Sequence, residues 1–247
     1  MVLKGKNLIV FDFDWSFVDQ DTDRWVLEVL STKARRGWQA GKKEAPCFMP
    51  SITDAAMKVL WEEGITKDQI LEAIAAIPLH PAMKRAVLGL KARKPDTKFV
   101  CLSNSNQIYI NTILEAHGIS DLFSALFCNR AHWDPTHPDR LLIEPYLPPS
   151  APPHACTMCN PNMCKGAELD GWIRENGGWD AFDKIAHVGD GKNDFCPMVR
   201  LRTGDWAMVR KDLGLDLMLE EGKEAELAAD VKRWEGAWEV DEIFQSL

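Results

Sequence analysis

The sequence has no long hydrophobic run, no excess of positive charge and no internal repeat. No segment approaches the ~20 consecutive apolar residues that a helix needs to cross a bilayer, which argues against a membrane-spanning protein. The formal net charge is −8, from 29 Lys and Arg against 37 Asp and Glu. This balance argues against a nucleic-acid surface, which is basic. We therefore expect neither a membrane nor a nucleic acid among the partners.

A secretion signal is also not visible in the N-terminal residues. The apolar run at residues 8–11 stops at Asp12, which is too short for a signal-peptide core. The seven cysteines are an odd number, and without a signal we expect reduced thiols and a cytoplasmic location. The 247 residues suffice for a sizeable core with an insertion, whereas the oligomeric state is not set by the sequence.

Apolar, β-branched runs predict buried strands at residues 8–11, 98–102, 184–188 and 206–209, with a weaker candidate at 124–127. A helix is predicted after the second strand, at residues 106–117, with Gly118 as its stop. Strands that alternate with helices favour an α/β fold, in which a parallel sheet carries helices on both faces. His187 lies on the third predicted strand and is expected to be a packed core residue.

About ninety residues between the first two strands read as helical. Thr66 and Gln69 have the spacing of a capping box, and His80-Pro81 predicts the start of another helix. We therefore predict a catalytic core of residues 1–20 and 95–247 with an inserted helical unit at 21–94. Within the core, 128–165 is expected to hold a flap and a cysteine cluster, 133–153 a loop, and 220–235 a solvated helix face.

Polar and charged residues follow the predicted strands, at the edge where parallel sheets bind their ligands. Asp12 and Asp14 follow the first strand, and Ser103 with Asn104 follows the second. Lys165 stands at a predicted helix start. The third strand is followed by the run Gly189-Asp190-Gly191-Lys192-Asn193-Asp194. Two carboxylates on one short turn repel each other, so a metal ion or a chemical step is needed to explain them.

This set of side chains suits phosphoryl transfer. Asp12 can attack phosphorus to form an aspartyl-phosphate. Asp14 can protonate the leaving oxygen and then take a proton from water. Ser103 and Lys165 can hold the transferred group, whose charge spreads over its equatorial oxygens. The residues thus predict Mg²⁺-dependent hydrolysis of a small phosphorylated metabolite.

The same edge predicts the magnesium site and the substrate contacts. Mg²⁺ prefers one or two carboxylates together with phosphate and water oxygens. The predicted ligand residues are Asp12, Asp14, Asp190 and Asp194, where Asp14 adds a backbone carbonyl and Asp194 holds either the lysine or metal-bound waters. The predicted substrate-binding residues are Ser16, Asp23, Asn104 and Gly191.

The four motifs, in this order, resemble the haloacid dehalogenase-like (HAD) phosphatase superfamily. Asp12 to Ser16 matches its first motif, with serine in place of threonine. Ser103, Lys165 and the acidic pair Asp190 and Asp194 match the other three. The resemblance implies a Rossmann-like core, a small helical cap of the C1 type that closes over the substrate, an aspartate nucleophile and Mg²⁺.

Two longer runs are similar to the phosphoethanolamine/phosphocholine and pyridoxal-phosphate phosphatase-like group, the PHOSPHO type. These runs are Cys159-Asn-Pro-Asn-Met-Cys-Lys165 and Gly189-Asp-Gly-Lys-Asn-Asp-Phe-Cys-Pro197. Animal members of the group typically have an aspartate where this chain has Asn104. Because that carboxylate is a candidate partner for a cationic amine, we hypothesise that this protein is not tuned to phosphocholine.

A second cluster has ligand types and spacing suited to zinc, namely His154, Cys156, Cys159 and Cys164. Free thiols around a flap are the alternative. Two other functions also stay open at this point. One is a phosphotransferase or phosphomutase with the same nucleophile, and the other is a non-catalytic, zinc-bearing interaction protein on a phosphatase fold.

Overall fold

A computed structural model describes residues 6–148 and 150–247. Within these residues the chain forms a seven-stranded sheet. Its strands are β1 (Lys6–Phe11), β2 (Lys98–Asn106), β3 (Ala125–Trp133), β4 (Leu141–Glu144), β5 (Phe182–Gly189), β6 (Trp206–Arg210) and β7 (Asp230–Trp234). The order across the sheet is β4-β3-β2-β1-β5-β6-β7. Neighbouring strands are parallel except for the antiparallel pair β3 and β4, so the predicted α/β class is confirmed.

The central strand β1 explains why the first apolar run is continuous. A strand covered on both faces buries every residue rather than alternate ones. Ile9 and Phe11 pack into the core on one face of the sheet, and Leu8 and Val10 pack into the core on the other. β1 hydrogen-bonds to β2 on one side and β5 on the other, which places Asp12 at the middle of the sheet edge.

Helices cover both faces of the sheet. Five lie between β1 and β2, namely α1 (Thr22–Leu30), α2 (Thr32–Glu44), α3 (Met49–Glu62), α4 (Lys67–Ala75) and α5 (Pro81–Arg93). The others are α6 (Gln107–Ala116), α7 (Lys165–Glu175), α8 (Phe195–Met198), α9 (Gly214–Glu220) and α10 (Ala237–Gln245). Among the described residues, no helix is both long enough and apolar enough to span a lipid bilayer.

The helices of the predicted insertion contact different parts of the chain. α1 packs on α2 and α4, and α3 packs on α2 and β4, whereas α5 packs along α10. The predicted capping box is confirmed, because Thr66 accepts from the Gln69 N–H and the Gln69 side chain accepts from the Thr66 N–H. His80 caps α5, whose first residue is Pro81. The division into a core and a cap at residues 21–94 stays a prediction.

Two stretches differ from the prediction. The predicted loop at 133–153 contains β4, in which Leu141 and Ile143 are buried and alternate with half-buried residues. The predicted helix face at 220–235 contains β7, an edge strand in which Trp234 is buried. β7 has three charged residues among its five, and β4 has only four residues, so neither shows the apolar alternation that marks a strand.

Candidate active site

The predicted site residues of the first and fourth motifs meet at the carboxyl ends of β1 and β5. The Asp12 N–H donates to the carbonyl of Val188 at 2.9 Å, which continues the β1–β5 ladder by one residue. The chain then turns away from the sheet, and the Asp12 carboxylate is left at the sheet edge. In open α/β sheets this edge, beside a central strand, is where ligands bind.

Lys165 is a buried cation between two carboxylates. It is the first residue of α7 and only 1% exposed. Its Nζ lies 2.8 Å from Asp12 Oδ2 and 2.8 Å from Asp194 Oδ1. Although burial disfavours the charged form, the two carboxylates raise the pKa of Lys165 above its ordinary value. The ammonium is therefore charged, and it holds Asp12 in a fixed position.

Asp194 uses both of its oxygens within the protein. Oδ1 accepts from Lys165 and from His187 Nε2 at 3.1 Å, and Oδ2 accepts from the N–H groups of Asp190 and Gly191 at 3.2 and 3.1 Å. Burial opposes its ionisation, but Lys165 and His187 lower the pKa of Asp194 below its ordinary value. The carboxylate is thus ionised, and it fixes both the lysine and the loop after β5.

The glycines of this loop are required by close packing. A Cβ on Gly189 would lie 2.5 Å from Asp194 Cγ, and a Cβ on Gly191 would lie 2.3 Å from Asn193 Oδ1. Both contacts are far inside van der Waals distance. The Gly191 N–H donates to Asp194, and the predicted place of this residue beside a substrate stays a prediction.

The sequence analysis missed the contact made by His187. Its ring is completely buried on β5, and burial lowers the pKa of the imidazole. The neutral ring donates from Nε2 to Asp194. The prediction of a packed core residue was right about its burial and wrong about its surroundings, because a single buried histidine does not reveal its partner in the sequence.

Three carboxylates gather around one lysine. Asp12, Asp190 and Asp194 each have an oxygen within 4.8 Å of the others, and Ser16 Oγ donates to Asp190 Oδ1 at 3.0 Å. Burial and the neighbouring negative charges raise the pKa of Asp12 to about 7 and that of Asp190 to about 8. Since Lys165 offsets only one of the three charges, this oxygen-rich group fits a divalent cation such as Mg²⁺.

Asp14 has different surroundings from Asp12. Its Oδ2 accepts from Thr22 Oγ1 at 3.2 Å, and that hydroxyl also lies 2.8 Å from Ser105 Oγ. Oδ1 is buried and has no hydrogen-bond partner among the described residues. Burial, followed by the charges of Asp21, Asp23 and Asp12, raises the pKa of Asp14 well above its ordinary value. The Asp14 side chain is thus favoured in its protonated form.

The turn after Asp14 is fixed by a residue at the end of β6, two strands away from β1 in the sheet. Trp15 has a φ of 56°, a left-handed conformation that costs a non-glycine residue roughly 1–2 kcal/mol. Arg210, at the end of β6, donates from Nη1 to the Trp15 carbonyl at 2.6 Å and also binds Asp19 at 2.8 Å. Its guanidinium lies 5.8 Å from the centre of the Trp15 ring. Arg210 therefore supports the strained turn that carries Asp14 and Ser16.

Ser103 and Asn104 lie within β2, which continues to Asn106. Ser103 is buried, and its Oγ accepts from the Ser105 N–H at 3.0 Å. The cap of α6 is Asn106, whose side chain accepts from the Tyr109 N–H, so capping is not the role of Ser103. The Asn104 side chain is exposed, while its carbonyl accepts from Asn129 Nδ2 at 2.5 Å.

Asp23 lies in the first turn of α1 and contacts the inserted helices. Its Oδ2 accepts from Thr53 Oγ1 of α3 at 2.7 Å. Burial and the charge of Asp21 raise the pKa of Asp23 to about 7. The structure therefore places this predicted substrate residue on the helical insertion, and its charge acts on Asp14 across space.

The cysteine cluster forms with a different fourth member from the one predicted. The Sγ atoms of four cysteines lie within 4.8 Å of one another, namely Cys156, Cys159, Cys164 and Cys196. His154 is not part of this group, since its Nε2 lies 2.9 Å from the carbonyl oxygen of Asn160. The fourth side chain beside the three predicted cysteines is thus Cys196, which reaches the cluster from α8, and not His154. Zinc binding at this cluster stays a prediction.

A family model described as "Putative Phosphatase" matches residues 7–247 of this chain. The chain belongs to this family. It is a HAD-type phosphatase of the PHOSPHO group, so the resemblance inferred from the motifs is confirmed.

Relatives share the whole length of the phosphatase. A thiamine phosphate phosphatase-like protein of Arabidopsis thaliana is 30% identical over 98% of this chain and 96% of its own length. Inorganic pyrophosphatase 2 of the same plant is 30% identical over 99% of this chain and 85% of its own length. Pyridoxal phosphate phosphatase PHOSPHO2 of Rattus norvegicus is 28% identical over 98% of each.

A solved structure shares the fold of the phosphatase. A substrate-bound phosphoserine phosphatase superposes with a TM-score of 0.61 over 99% of this chain and all of the other, at 17% sequence identity. At this identity the likeness concerns the fold alone, and it supports the Rossmann-like architecture predicted for the core.

Proposed function

We propose that the protein hydrolyses a small phosphomonoester in two steps, through an aspartyl-phosphate on Asp12. The observation that carries the proposal is the contrast between two neighbouring carboxyls. Burial raises the pKa of Asp12 to about 7, but the ion pair with Lys165 at 2.8 Å acts in the opposite direction and favours the ionised form needed in a nucleophile. Asp14 has a neutral hydroxyl partner and a strongly raised pKa, which favours the protonated form needed in a general acid. Such a division of surroundings is how one site supplies both an acid and a base.

In the first step, an Asp12 oxygen forms a bond to phosphorus while the bond from phosphorus to the leaving oxygen breaks. Asp14 gives its proton to that leaving oxygen. In the second step, the carboxylate of Asp14 takes a proton from water, and the water oxygen attacks phosphorus. The Asp12–phosphorus bond then breaks, and inorganic phosphate leaves.

Lys165 and Ser103 are the proposed partners of the transferred phosphoryl group. The Lys165 ammonium already touches Asp12, so a group bonded to Asp12 lies within its reach. Ser103 Oγ accepts a hydrogen bond from Ser105, which leaves its own O–H available to donate. Asp194 acts indirectly, as a positioning residue, since it holds Lys165 and the N–H groups of the 190–191 loop in place.

Asp12 and Asp190 are the proposed side-chain ligands of Mg²⁺, with the backbone carbonyl of Asp14 as a further oxygen. When bound, Mg²⁺ would neutralise charge on the carboxylates and on the phosphate oxygens. The Asp190 carboxylate suits this role, because its Oδ1 is oriented by Ser16. Its pKa is raised by burial and by the negative charges of Asp12 and Asp194, and a cation would offset those charges.

The helical insertion is proposed to act as the cap that excludes water and selects the leaving group. Ser16, Asp23, Asn104 and Gly191 are the proposed substrate contacts. The candidate phosphomonoesters are thiamine monophosphate, pyridoxal phosphate, phosphoethanolamine and phosphocholine. The name of a plant relative adds inorganic pyrophosphate, which is a phosphoanhydride and not an ester, as a further compound to test. Because Asn104 brings no charge, we expect no preference for phosphocholine. The cytoplasmic location stays a prediction.

The test is hydrolysis of a generic aryl phosphate with and without Mg²⁺, by wild type, Asp12→Asn and Asp96→Asn. We expect Mg²⁺-dependent turnover that Asp12→Asn lowers about a thousandfold or more, as loss of a nucleophile does. Asp96 is exposed at the far end of the fold and serves as the matched control. Retained turnover in folded Asp12→Asn would refute the assignment.

Two further measurements refine the proposed reaction. The substrate panel decides specificity, and a clear preference for phosphocholine would contradict the expectation drawn from Asn104. Product analysis with an added alcohol separates hydrolysis from phosphotransfer, because a phosphotransferase would yield the alkyl phosphate in place of inorganic phosphate.

A further inference from the structure

Four cysteines converge beside the acidic site without taking part in the proposed reaction. Three belong to the segment that leads into α7, and Cys196 belongs to α8. Cys164 and Cys196 are buried, while Cys156 and Cys159 are half-buried. The seven cysteines all lie in the part of the chain that the structure describes, and none of them forms a disulfide.

The distances between the sulfur atoms match a tetrahedral metal site. With Zn–S bonds of about 2.3 Å, a regular tetrahedron of sulfurs has edges of about 3.8 Å. Cys196 Sγ lies 3.7 Å from Cys156 Sγ and 3.7 Å from Cys164 Sγ, and all four sulfurs lie within 4.8 Å of one another. A disulfide needs about 2.05 Å and joins only two sulfurs, so it does not account for a group of four.

Two hydrogen-bond donors lie next to sulfurs of the cluster and can stabilise negative charge on them. The Ala167 N–H, at the start of α7, donates to Cys164 Sγ at 3.4 Å. Arg200 Nη2 lies 3.8 Å from Cys196 Sγ, and Asp170 fixes the same guanidinium through Nη1 at 2.8 Å. Backbone N–H groups at a helix start and a guanidinium both stabilise negative charge. Four thiolates around one divalent cation carry a net charge of −2, which these donors partly offset.

The packing around the cluster leaves no room for another side chain at Gly166. A Cβ at Gly166 would lie 2.7 Å from Cys196 Sγ and 2.1 Å from Arg200 Nε. Glycine at this position therefore allows the start of α7 to approach α8 closely. This approach is what brings Cys164 and Cys196 into contact.

We propose that one Zn²⁺ binds here as a closed structural centre, held by the thiolates of Cys156, Cys159, Cys164 and Cys196. Each thiol releases its proton as its sulfur binds the metal, and no oxidation or reduction takes place. Sulfur ligands suit Zn²⁺ and are poor ligands for Mg²⁺, so this centre is chemically distinct from the acidic one.

The centre would act as a clamp on the catalytic site. Cys164 directly precedes Lys165, and Cys196 follows Asp194 by two residues. A metal that joins the two cysteines therefore fixes the backbone on both sides of the 2.8 Å Lys165–Asp194 ion pair. Lys165 and Asp194 would then be positioned by the zinc, while the zinc itself contacts neither the phosphate nor Mg²⁺.

The first test is the metal content of the full-length protein, purified under reducing conditions from zinc-supplemented cells and measured by elemental analysis. We expect about one zinc per chain. The same protein loaded with Co²⁺ should show the visible absorption and the sulfur-to-cobalt charge-transfer band of a tetrahedral thiolate site. Absence of stoichiometric zinc, or a cobalt spectrum without sulfur ligation, would overturn the proposal, whatever the phosphatase activity.

Variants identify the ligands. Cys159→Ser and Cys196→Ser should lose zinc, whereas Cys47→Ser, the matched control at an exposed cysteine outside the cluster, should keep it. His154→Ala should also keep one zinc, and loss of zinc in this variant would contradict a site made of four thiolates. If a cysteine variant fails to fold, the cobalt spectrum of the wild type and the zinc content of His154→Ala still decide the question.

The proposed effect of zinc on the position of Lys165 can be measured separately. Removal of zinc from the wild type with a strong chelator should lower the midpoint of thermal unfolding. It should also increase, by four, the number of cysteines that react quickly with a thiol reagent. It should also lower kcat for the aryl phosphate, even with saturating Mg²⁺, and zinc should restore it. A fully active zinc-free protein with an unchanged thermal midpoint would show that the centre does not position Lys165.

Discussion

Replacing Asp23 with asparagine should stabilise the protein at neutral and alkaline pH. The Asp23 carboxyl lies in the first turn of α1 with Thr53 as its hydrogen-bond donor. The charge of Asp21 on the same turn disfavours its ionisation, and Lys42 only partly compensates. Burial and Asp21 together raise the pKa of Asp23 to about 7 from an ordinary value of 3.8. Asparagine has nearly the same shape and can still accept from Thr53, but it carries no charge.

The sign of the effect follows from where the protons are bound. In the unfolded chain Asp23 ionises near pH 3.8, while in the folded protein it ionises near pH 7. Between these values the folded state holds a proton that the unfolded state has lost, so the free energy of unfolding falls as the pH rises. The asparagine variant has no such dependence. Its advantage is therefore small at pH 4, grows through pH 5 and 6, and is complete above pH 7.

The size of the effect has an upper limit set by the pKa difference. Each unit corresponds to about 1.4 kcal/mol, so a difference of about three units gives at most about 4 kcal/mol. Solvent reaches part of the Asp23 side chain and screens its charge, and the start of a helix favours a carboxylate. We therefore expect a gain of roughly 2–3 kcal/mol at pH 8.

Urea unfolding of wild type and Asp23→Asn at pH 4, 5, 6, 7 and 8, in buffers without Mg²⁺, measures this difference. Asp21→Asn is the matched variant, because asparagine keeps the α1 cap that Asp21 provides while removing its charge. It should give a smaller gain of the same sign. If the curves of wild type and Asp23→Asn stay parallel from pH 4 to pH 8, the folded carboxyl has an ordinary pKa and the reasoning is refuted.

Three further substitutions test single contacts. Lys165→Met leaves two buried carboxylates unpaired and should cost about 3–5 kcal/mol in urea unfolding; a cost below about 1 kcal/mol would show that the ion pairs are solvated. Thr66→Ala removes half of the α4 capping box and should cost about 1 kcal/mol with kcat unchanged. Thr22→Val removes the hydroxyl bonded to Asp14 and should change kcat by up to about tenfold. An unchanged pH–rate profile in Thr22→Val would mean that Thr22 does not tune Asp14.

The sequence was sufficient to predict those strands that are buried on both faces. Residues 8–11 and 184–188 show uninterrupted apolar runs because they lie in the middle of a parallel sheet. β4 and β7 lie at the two edges, where one side of the strand faces no further strand. The charged residues of β7 are therefore compatible with the fold, while β4 is too short, at four residues, to show an alternating pattern.

Only some residues of the candidate site could be predicted from the sequence, for a related reason. Asp12, Asp14, Ser103, Lys165 and Asp190 could be predicted because each carries a reactive group and follows a strand or begins a helix. Thr22, Ser105, His187 and Arg210 support them through contacts that join distant parts of the chain. Such residue types are common throughout the sequence, so nothing in the local pattern distinguishes those that touch the site.

Cys196 was missed as a member of the cysteine cluster for a similar reason. It lies 32 residues from Cys164 in the sequence, and it approaches only because α8 packs against α7. His154 was the nearer candidate in sequence. A spacing rule for metal ligands favours local residues, whereas a fold can supply the last ligand from any element.

Asp190 and Asp194 look equivalent in the sequence, yet the structure separates their roles. All of the hydrogen bonds to Asp194 come from the protein, two at each oxygen, so its lone pairs are already engaged. Asp190 accepts through Oδ1 from Ser16, and within the described residues no hydrogen bond reaches its Oδ2. A cation that needs oxygen ligands therefore gains more from Asp190 than from Asp194. Because Asp194 accepts hydrogen bonds from both Lys165 and the N–H group of Asp190, it links the position of the lysine to that of the Asp190 loop. Its contribution to the chemistry is therefore to fix the distance between the cation that pairs with Asp12 and the carboxylate that would bind the metal.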